Sequence, residues 1–169
     1  HGFHEGRDGG AVGQDGPIPE ETPVRDTIPF KQAYRLTGEV LCRSEKNKVL
    51  AAVSSGTGQA AVVKQFDLKK ISRLDRISVE HEVRIYASLK HPGHPNVAEL
   101  LAVYRSHNHV RLVMERLNGG DTFDNLQASG TLTEQEVARV ILQVLEAVEY
   151  LHGKGVVHRD IKLENVVYE

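Results

Sequence analysis

Tryptophan is absent from the chain, cysteine occurs once, and aromatic residues make up 5% of its 169 residues. The single cysteine, Cys42, excludes an internal disulfide framework and fits a reducing compartment such as the cytoplasm. No run approaches the roughly 18 apolar residues of a membrane-spanning helix, so no membrane span is expected. An excess of positive charge is missing as well. Lys and Arg number 21 against 23 Asp and Glu, the formal net charge is −2, and no basic stripe runs through the sequence. No nucleic acid partner is therefore expected. What is present is a hydrophobic content of 40%, enough for a core.

The apolar residues are unevenly placed. Residues 1–29 are dominated by Gly, Pro, Asp and Glu and show no apolar periodicity. Such a stretch buries too little to offset its ordering entropy and is expected to be a disordered tail. Strands are predicted over 34–41, 49–53, 60–66, 98–105 and 110–116, with Ser54-Ser55-Gly56-Thr57-Gly58-Gln59 as a hairpin turn. Ile77, Val79, Val83, Tyr86 and Leu89 recur at mostly helical spacing and predict a helix over 71–89. Residues 91–96 form a Pro-rich break, and Asn118-Gly119-Gly120 ends the last strand. A short helix is predicted over 122–128. Thr133-Glu134-Gln135-Glu136 has the form of a capping box, and behind it Val137, Val140, Ile141, Val144, Leu145, Val148 and Leu151 make an apolar stripe at period 3.6 until Gly153 and Gly155 stop it. The order is α+β: five strands with one helix inserted, then two helices.

Near the end of the chain stands His158-Arg159-Asp160-Ile161-Lys162-Leu163-Glu164-Asn165, of the form H-R-D-x-x-x-x-N with a lysine two residues after the aspartate. Upstream, Ala61-Val62-Val63-Lys64 ends an apolar strand in lysine, and Val49 lies fifteen residues before Lys64. Glu115-Arg116-Leu117-Asn118-Gly119-Gly120-Asp121-Thr122-Phe123-Asp124 links the last strand to the first of the late helices. In these motifs the chain, from Tyr34 to Glu169, resembles the eukaryotic protein kinase domain. Lys162 after Asp160 is similar to the serine/threonine branch, in particular its calcium/calmodulin-dependent-kinase-like group. The resemblance implies a protein-kinase-like fold, with a five-stranded antiparallel N-lobe carrying one helix and the first helices of an α-helical C-lobe. It divides the chain into a tail (1–29), the N-lobe and hinge (30–117), and the start of the C-lobe through the catalytic loop (118–169). No D-F-G or A-P-E stands among the 169 residues, so a domain cut after the catalytic loop, inactive alone, is expected.

The chemistry implied is transfer of the ATP γ-phosphoryl group to serine or threonine hydroxyls of a protein substrate, with magnesium. Asp160 would orient the acceptor hydroxyl and take its proton, Lys162 would neutralise γ-phosphate charge, and Asn165 would hold a magnesium ion. Arg159 would bind a phosphorylated activation loop. Lys64 would meet the α- and β-phosphates. Its helix glutamate is best matched by Glu82, with Glu80 as the alternative. Leu41, Val49 and Val62 would roof the adenine, Met114 would be the gatekeeper, the backbone of 115–117, from Glu115 to Leu117, would meet the adenine edge, and Asp121 would lie near the ribose.

Three features depart from that pattern or imitate something else. Counted back from Val49, the family's loop glycines fall on Cys42, Ser44 and Asn47, none of them glycine. Serine and cysteine cost about 1–2 kcal/mol wherever left-handed backbone is required, so weaker nucleotide binding is expected. Val62 also replaces the alanine of V-A-I-K. Gly56-Thr57-Gly58 looks like a phosphate loop, but a strand follows it instead of a helix, so it reads as a hairpin turn. His91, His94, His107 and His109 suggest a metal site that no cysteine or carboxylate cluster completes. The defective glycine loop raises one rival expectation, a pseudokinase scaffold that binds partners with weak or no ATP binding.

Overall fold

The computed structural model describes residues 28–169, the side chain of Ser129 excepted. Nearly all of the predicted tail, residues 1–27, lies outside the described residues. A single helical turn, α1 (Phe30–Ala33), opens the fold and was not signalled by any sequence periodicity. There follow β1 (Tyr34–Arg43), β2 (Asn47–Ser54), β3 (Ala60–Asp67), α2 (Arg73–Ser88), β4 (Leu100–Arg105), β5 (His109–Glu115), α3 (Thr122–Ser129) and α4 (Glu134–Gly153). The strands form one antiparallel sheet in the order β1-β2-β3-β5-β4.

Alternation along β3 and β5 sorts the sheet into two faces. On one face Phe66, Val110 and Leu112 pack with Leu100 and Val103 against Val79 and Val83 of α2, and Met114 joins this core at its edge. On the other, Ala52, Ala61, Val63, Ala102 and Val113 are covered by Phe30, Ala33 and Tyr34. The α1 turn therefore forms because Phe30 has somewhere to go. Its ring meets Tyr104 edge-on at 5.3 Å, and the Arg111 guanidinium lies 4.6 Å from its centre. Each fully buried Val, Leu or Phe contributes roughly 1.5–3 kcal/mol, which is what fixes the register of β3 between its neighbours.

The helices carry the start signals of their sequences. Thr133 accepts from the Glu136 amide, and the Glu136 carboxylate accepts from the Thr133 amide, as the capping box predicts. Ser72 and Asp75 make a second such box at the start of α2. α4 presents Val137, Ile141, Leu142 and Leu145 at 43–59% exposure, so little of its apolar stripe is covered by the described residues. Its Tyr150 is engaged. That hydroxyl lies 2.8 Å from the Leu89 carbonyl and also on that of Pro92, while the ring stacks on His94. Asn96 donates to the Gln143 carbonyl and to Glu146, so the loop between α2 and β4 is fastened to α4.

Candidate active site

The sheet register assembles the first half of the site. Val49 of β2 and Leu112 of β5 flank Lys64 on β3, and Val62 sits between Ala51 and Met114. These pairs place Val49, Val62, Lys64 and Met114 on the face that carries α2. Lys64 Nζ lies 2.6 Å from Glu82 Oε1, with the two side chains 28% and 27% exposed, and 5.4 Å from the Phe66 ring centre. Glu80 does not reach this lysine. It pairs instead with Arg105 of β4 at 3.0 Å. The two glutamates flank the buried Val79–Val83 stripe on opposite sides, about 80° from its centre at 100° per residue. Helical periodicity therefore treats them alike, and only the positions of β3 and β4 separate them.

The hairpin between β1 and β2 occupies the place of the glycine-rich loop. Cys42 pairs with Val49 and Arg43 with Lys48, and the Ser44 amide donates to the Asn47 carbonyl at 2.9 Å. Ser44 Oγ accepts from the amides of Lys46 and Asn47, at 3.3 and 3.1 Å. Among the described residues the only non-glycine at positive φ is Arg159. The expected left-handed strain at positions 42, 44 and 47 is thus not incurred. A serine-closed turn has replaced the glycine geometry, and two of its amides are spent on the serine hydroxyl instead of facing outward. Leu41 lies in an irregular stretch of β1, between the Val40–Leu50 and Cys42–Val49 pairs, and is 42% exposed.

The segment leaving β5 runs from Glu115 through Leu117 to Asp121. The Glu115 amide donates to the Glu99 carbonyl, and its carboxylate accepts from the Glu99 amide. Arg116 reaches across to Glu39 of β1, with contacts of 3.3 and 3.4 Å. Asp121 caps α3 by accepting from the Asp124 amide at 2.8 Å. Nothing in the sequence announced the next contact: 119–122 pairs with the end of the chain. The Gly119 amide donates to the Tyr168 carbonyl, the Tyr168 amide to Gly120 and the Thr122 amide to Val166, each at 2.8–2.9 Å, and Asp121 forms a bridge with Val167. This pairing brings the segment that follows Asn165 to the stretch between β5 and α3.

In that loop, Lys162 Nζ lies 3.2 Å from Asp160 Oδ2, and Asn165 Nδ2 donates to the same oxygen at 3.0 Å and to the Asp160 carbonyl at 2.7 Å. Lys162 foremost, then Asn165, hold the Asp160 carboxyl below the usual carboxylate range, so it is ionised at neutral pH. Arg159 precedes it at φ 67, a backbone conformation that costs a non-glycine residue about 1–2 kcal/mol and that clusters at functional sites. His158 Nδ1 accepts from the Asp160 amide at 3.3 Å. Direct polar contacts thus join two groups of the predicted site residues, 64 with 82 and 160 with 162 and 165. No hydrogen bond or ion pair joins the groups among the described residues. Of the histidines outside the loop, His94 stacks on Tyr150 and accepts from the Asn96 amide.

A strand lysine paired with a helix glutamate, and an Asp-Lys-Asn turn entered through a left-handed arginine, define a class: the protein-kinase-like phosphotransferase fold. Residues 37–169 match the family model described as protein kinase domain, and the chain belongs to that family. Within it the chain is similar to serine/threonine kinases of the calcium/calmodulin-dependent group. It is 38% identical over 154 residues to calcium/calmodulin-dependent protein kinase type 1 of Caenorhabditis elegans, which is 90% of this chain and 41% of that protein. The same-named kinase of Macrobrachium nipponense is 40% identical over 119 residues, 70% of this chain and 33% of that one. Among solved structures, the crystal structure of Rad53 1–466 in complex with AMP-PNP superposes with a TM-score of 0.68 at 29% identity, over 80% of this chain and 34% of that one. The chain therefore spans well under half the length of these relatives.

Proposed function

We propose that the protein carrying this chain is a serine/threonine protein kinase that moves the ATP γ-phosphoryl group onto a protein hydroxyl. The observation that carries this is the Lys64–Glu82 pair at 2.6 Å in the same chain as the Asp160–Lys162–Asn165 turn. Lys64, held by Glu82, directs its ammonium at the α- and β-phosphates. The pair contributes little to stability, because both side chains remain partly exposed; its use is to fix direction. With the Glu115 amide committed to Glu99, the Glu115 carbonyl and the Leu117 peptide groups are assigned to the adenine edge. Leu41, Val49 and Val62 roof the base, Met114 closes its inner end, and Asp121 keeps one carboxylate oxygen for the ribose beyond its capping bond. Val167, bridged to Asp121 and 42% exposed, joins the predicted set as an apolar floor.

The acceptor chemistry follows from Asp160. Its lowered pKa makes it a poor base in the resting site, which suits a loose transition state in which the hydroxyl proton leaves late. Asp160 orients the acceptor oxygen first and takes the proton once the new P–O bond is forming. Lys162 faces the γ-phosphate charge. The donor set also fits magnesium: Asn165 spends Nδ2 on Asp160, which leaves Oδ1 as the hard oxygen donor that such an ion requires. When bound, the ion supplies charge neutralisation on the phosphates. The boundaries at 29 and 117, with the tail and two lobes they separate, belong to this proposal as well.

A second reading, a pseudokinase scaffold, is favoured by one observation: the amides of Lys46 and Asn47 are occupied by Ser44 Oγ. One experiment separates the two. The full-length protein is given ATP labelled at the γ-phosphate, magnesium and a peptide library of Ser, Thr and Tyr acceptors. Label is expected on Ser and Thr and is expected to vanish in Asp160→Asn. Label on Tyr alone, or label that survives Asp160→Asn, overturns the kinase reading; nucleotide that fails to bind at all supports the scaffold.

A further inference from the structure

Glycine-rich phosphate loops owe their mobility to glycine, and this hairpin has none at 42, 44 or 47. Two contacts, at different ends of the hairpin and to different elements, bear on what replaces that mobility. At the tip, Lys46 Nζ lies 2.6 Å from Asp75 Oδ1. Asp75 is no free surface acid. Its other oxygen accepts from the Ser72 amide and hydroxyl, so it is fixed at the first turn of α2, the helix that carries Glu82. Near the root, Glu39 meets Arg116, the residue between the two positions assigned to the adenine edge, through a two-pronged contact of 3.3 and 3.4 Å. β1 is irregular beside this contact. Gly38 takes φ 93, the register slips between Leu36 and Val40, and Thr37 Oγ1 accepts from the Glu39 amide. Between the two contacts, the Ser44 turn satisfies the hairpin's own amides.

We propose that Lys46–Asp75 and Glu39–Arg116 are positioning pairs that clasp the β1–β2 hairpin shut over the nucleotide cleft, so that nucleotide exchange requires both ion pairs to part. This rests on the nucleotide site described under Proposed function. The tip pair ties the hairpin to the helix that orients Lys64, and the root pair ties it to the segment that meets the base. Closure then depends on charge and salt where a glycine loop would depend on backbone freedom. Exposed pairs of this kind are weak singly, so each is expected to slow hairpin opening about two- to five-fold, and the two together by the product.

The test uses the full-length protein with Lys46→Gln, Arg116→Gln and the double substitution, none of which removes the capping box of α2. Hydrogen exchange of amides 42–49 is measured without nucleotide, and dissociation of a fluorescent ATP analogue is followed by stopped flow. Exchange and dissociation are both expected to quicken about two- to five-fold per substitution, to return to the parent rate in Lys46→Arg, and to quicken in the parent but not in the double variant when salt is raised to about 1 M, where the Debye length is near 3 Å. Unchanged exchange in the double variant overturns the clasp, as does equal salt response in parent and double variant. If the parent binds no analogue, the nucleotide-site reading fails while the exchange rates still decide the clasp. Thermal midpoints are measured alongside, and a variant that loses its fold is replaced by its Met counterpart.

Discussion

Gly119 is the position where one methyl group should do the most damage. A Cβ built there would stand 2.5 Å from Tyr168 Cβ and 2.9 Å from both the Tyr168 carbonyl carbon and the Glu169 carbonyl oxygen. Two of those three atoms are backbone, so no side-chain rotation relieves the clash, and residues 119–120 must part from 168. Two hydrogen bonds go with that separation, Gly119 amide to Tyr168 carbonyl and Tyr168 amide to Gly120 carbonyl, both 2.9 Å. At about 1 kcal/mol each, Gly119→Ala should favour local opening by about 2 kcal/mol, close to 30-fold. The Thr122–Val166 bonds lie one step farther on and should hold. Amide hydrogen exchange at 119 and 168 reads the effect directly. The control is Gly56→Ala, at a turn with no positive φ and nothing within 4 Å, where the change should be neutral or stabilising by a few tenths of a kcal/mol. If Gly119→Ala leaves the protection of 119 and 168 within twofold of the parent, the pairing of 119–122 with 166–168 is not what holds this region.

Four other outcomes are expected. Lys64→Ala should weaken nucleotide binding at least tenfold by calorimetry while unfolding midpoints move little, because a partly exposed ion pair contributes about 0–1 kcal/mol; equal binding would remove Lys64 from the site. Glycine at 42, 44 and 47 together should tighten nucleotide binding by releasing the amides that Ser44 holds, and calorimetry showing no gain would mean those amides never face phosphate. A polypeptide of residues 1–169 should transfer no phosphate and should self-associate through Ile141, Leu142 and Leu145. Ile141→Glu with Leu145→Glu should restore a monomer in light scattering, and a monodisperse parent would show that the α4 stripe is covered. Asp75 is pulled from its ordinary 3.8 down to about 2, first by Lys46 and then by Ser72. A carboxyl depressed on folding stabilises above its unfolded pKa, so this support should be complete above about pH 4 and fade as pH falls toward 2. Carboxyl NMR should show the midpoint rising in Lys46→Gln, and an unmoved midpoint would deny the contact.

Much of the architecture was legible because it is local. The apolar run of 60–66 fills both faces of β3, the stripe from Val137 to Leu151 marks one side of α4, and Thr133 with Glu136 announces its own helix start. The box at Ser72 escaped because aspartate stands where the pattern asks for Glu or Gln. β1 and β2 run on to Arg43 and back from Asn47, beyond their apolar residues, since ladder bonds need no hydrophobic side chain. Site contacts between distant residues were not legible. Glu39 and Arg116 lie 77 positions apart, and neither carries a motif. Helical periodicity could not choose between Glu80 and Glu82, because their angular positions on α2 are mirror images about its buried stripe; only the resemblance favoured Glu82, the one that meets Lys64. Asp160, Lys162 and Asn165 stand together because one short loop holds all three.

The loop between α2 and β4 is a second mechanical tie between the sheet and the late helices. Tyr150, Lys154 and the Asn96 contacts pin it to α4, and the covalent chain joins the sheet to the late helices again at 116–121. A body attached at one point can tilt and turn in any sense. A body attached at two keeps only the rotation about the line through both, as a door does on its pins. The sheet should therefore swing and not roll against α4. α2 has its C-terminal end at one of those pins, where the Leu89 carbonyl accepts from Tyr150, so the helix that carries Glu82 is anchored at the point about which the sheet would turn.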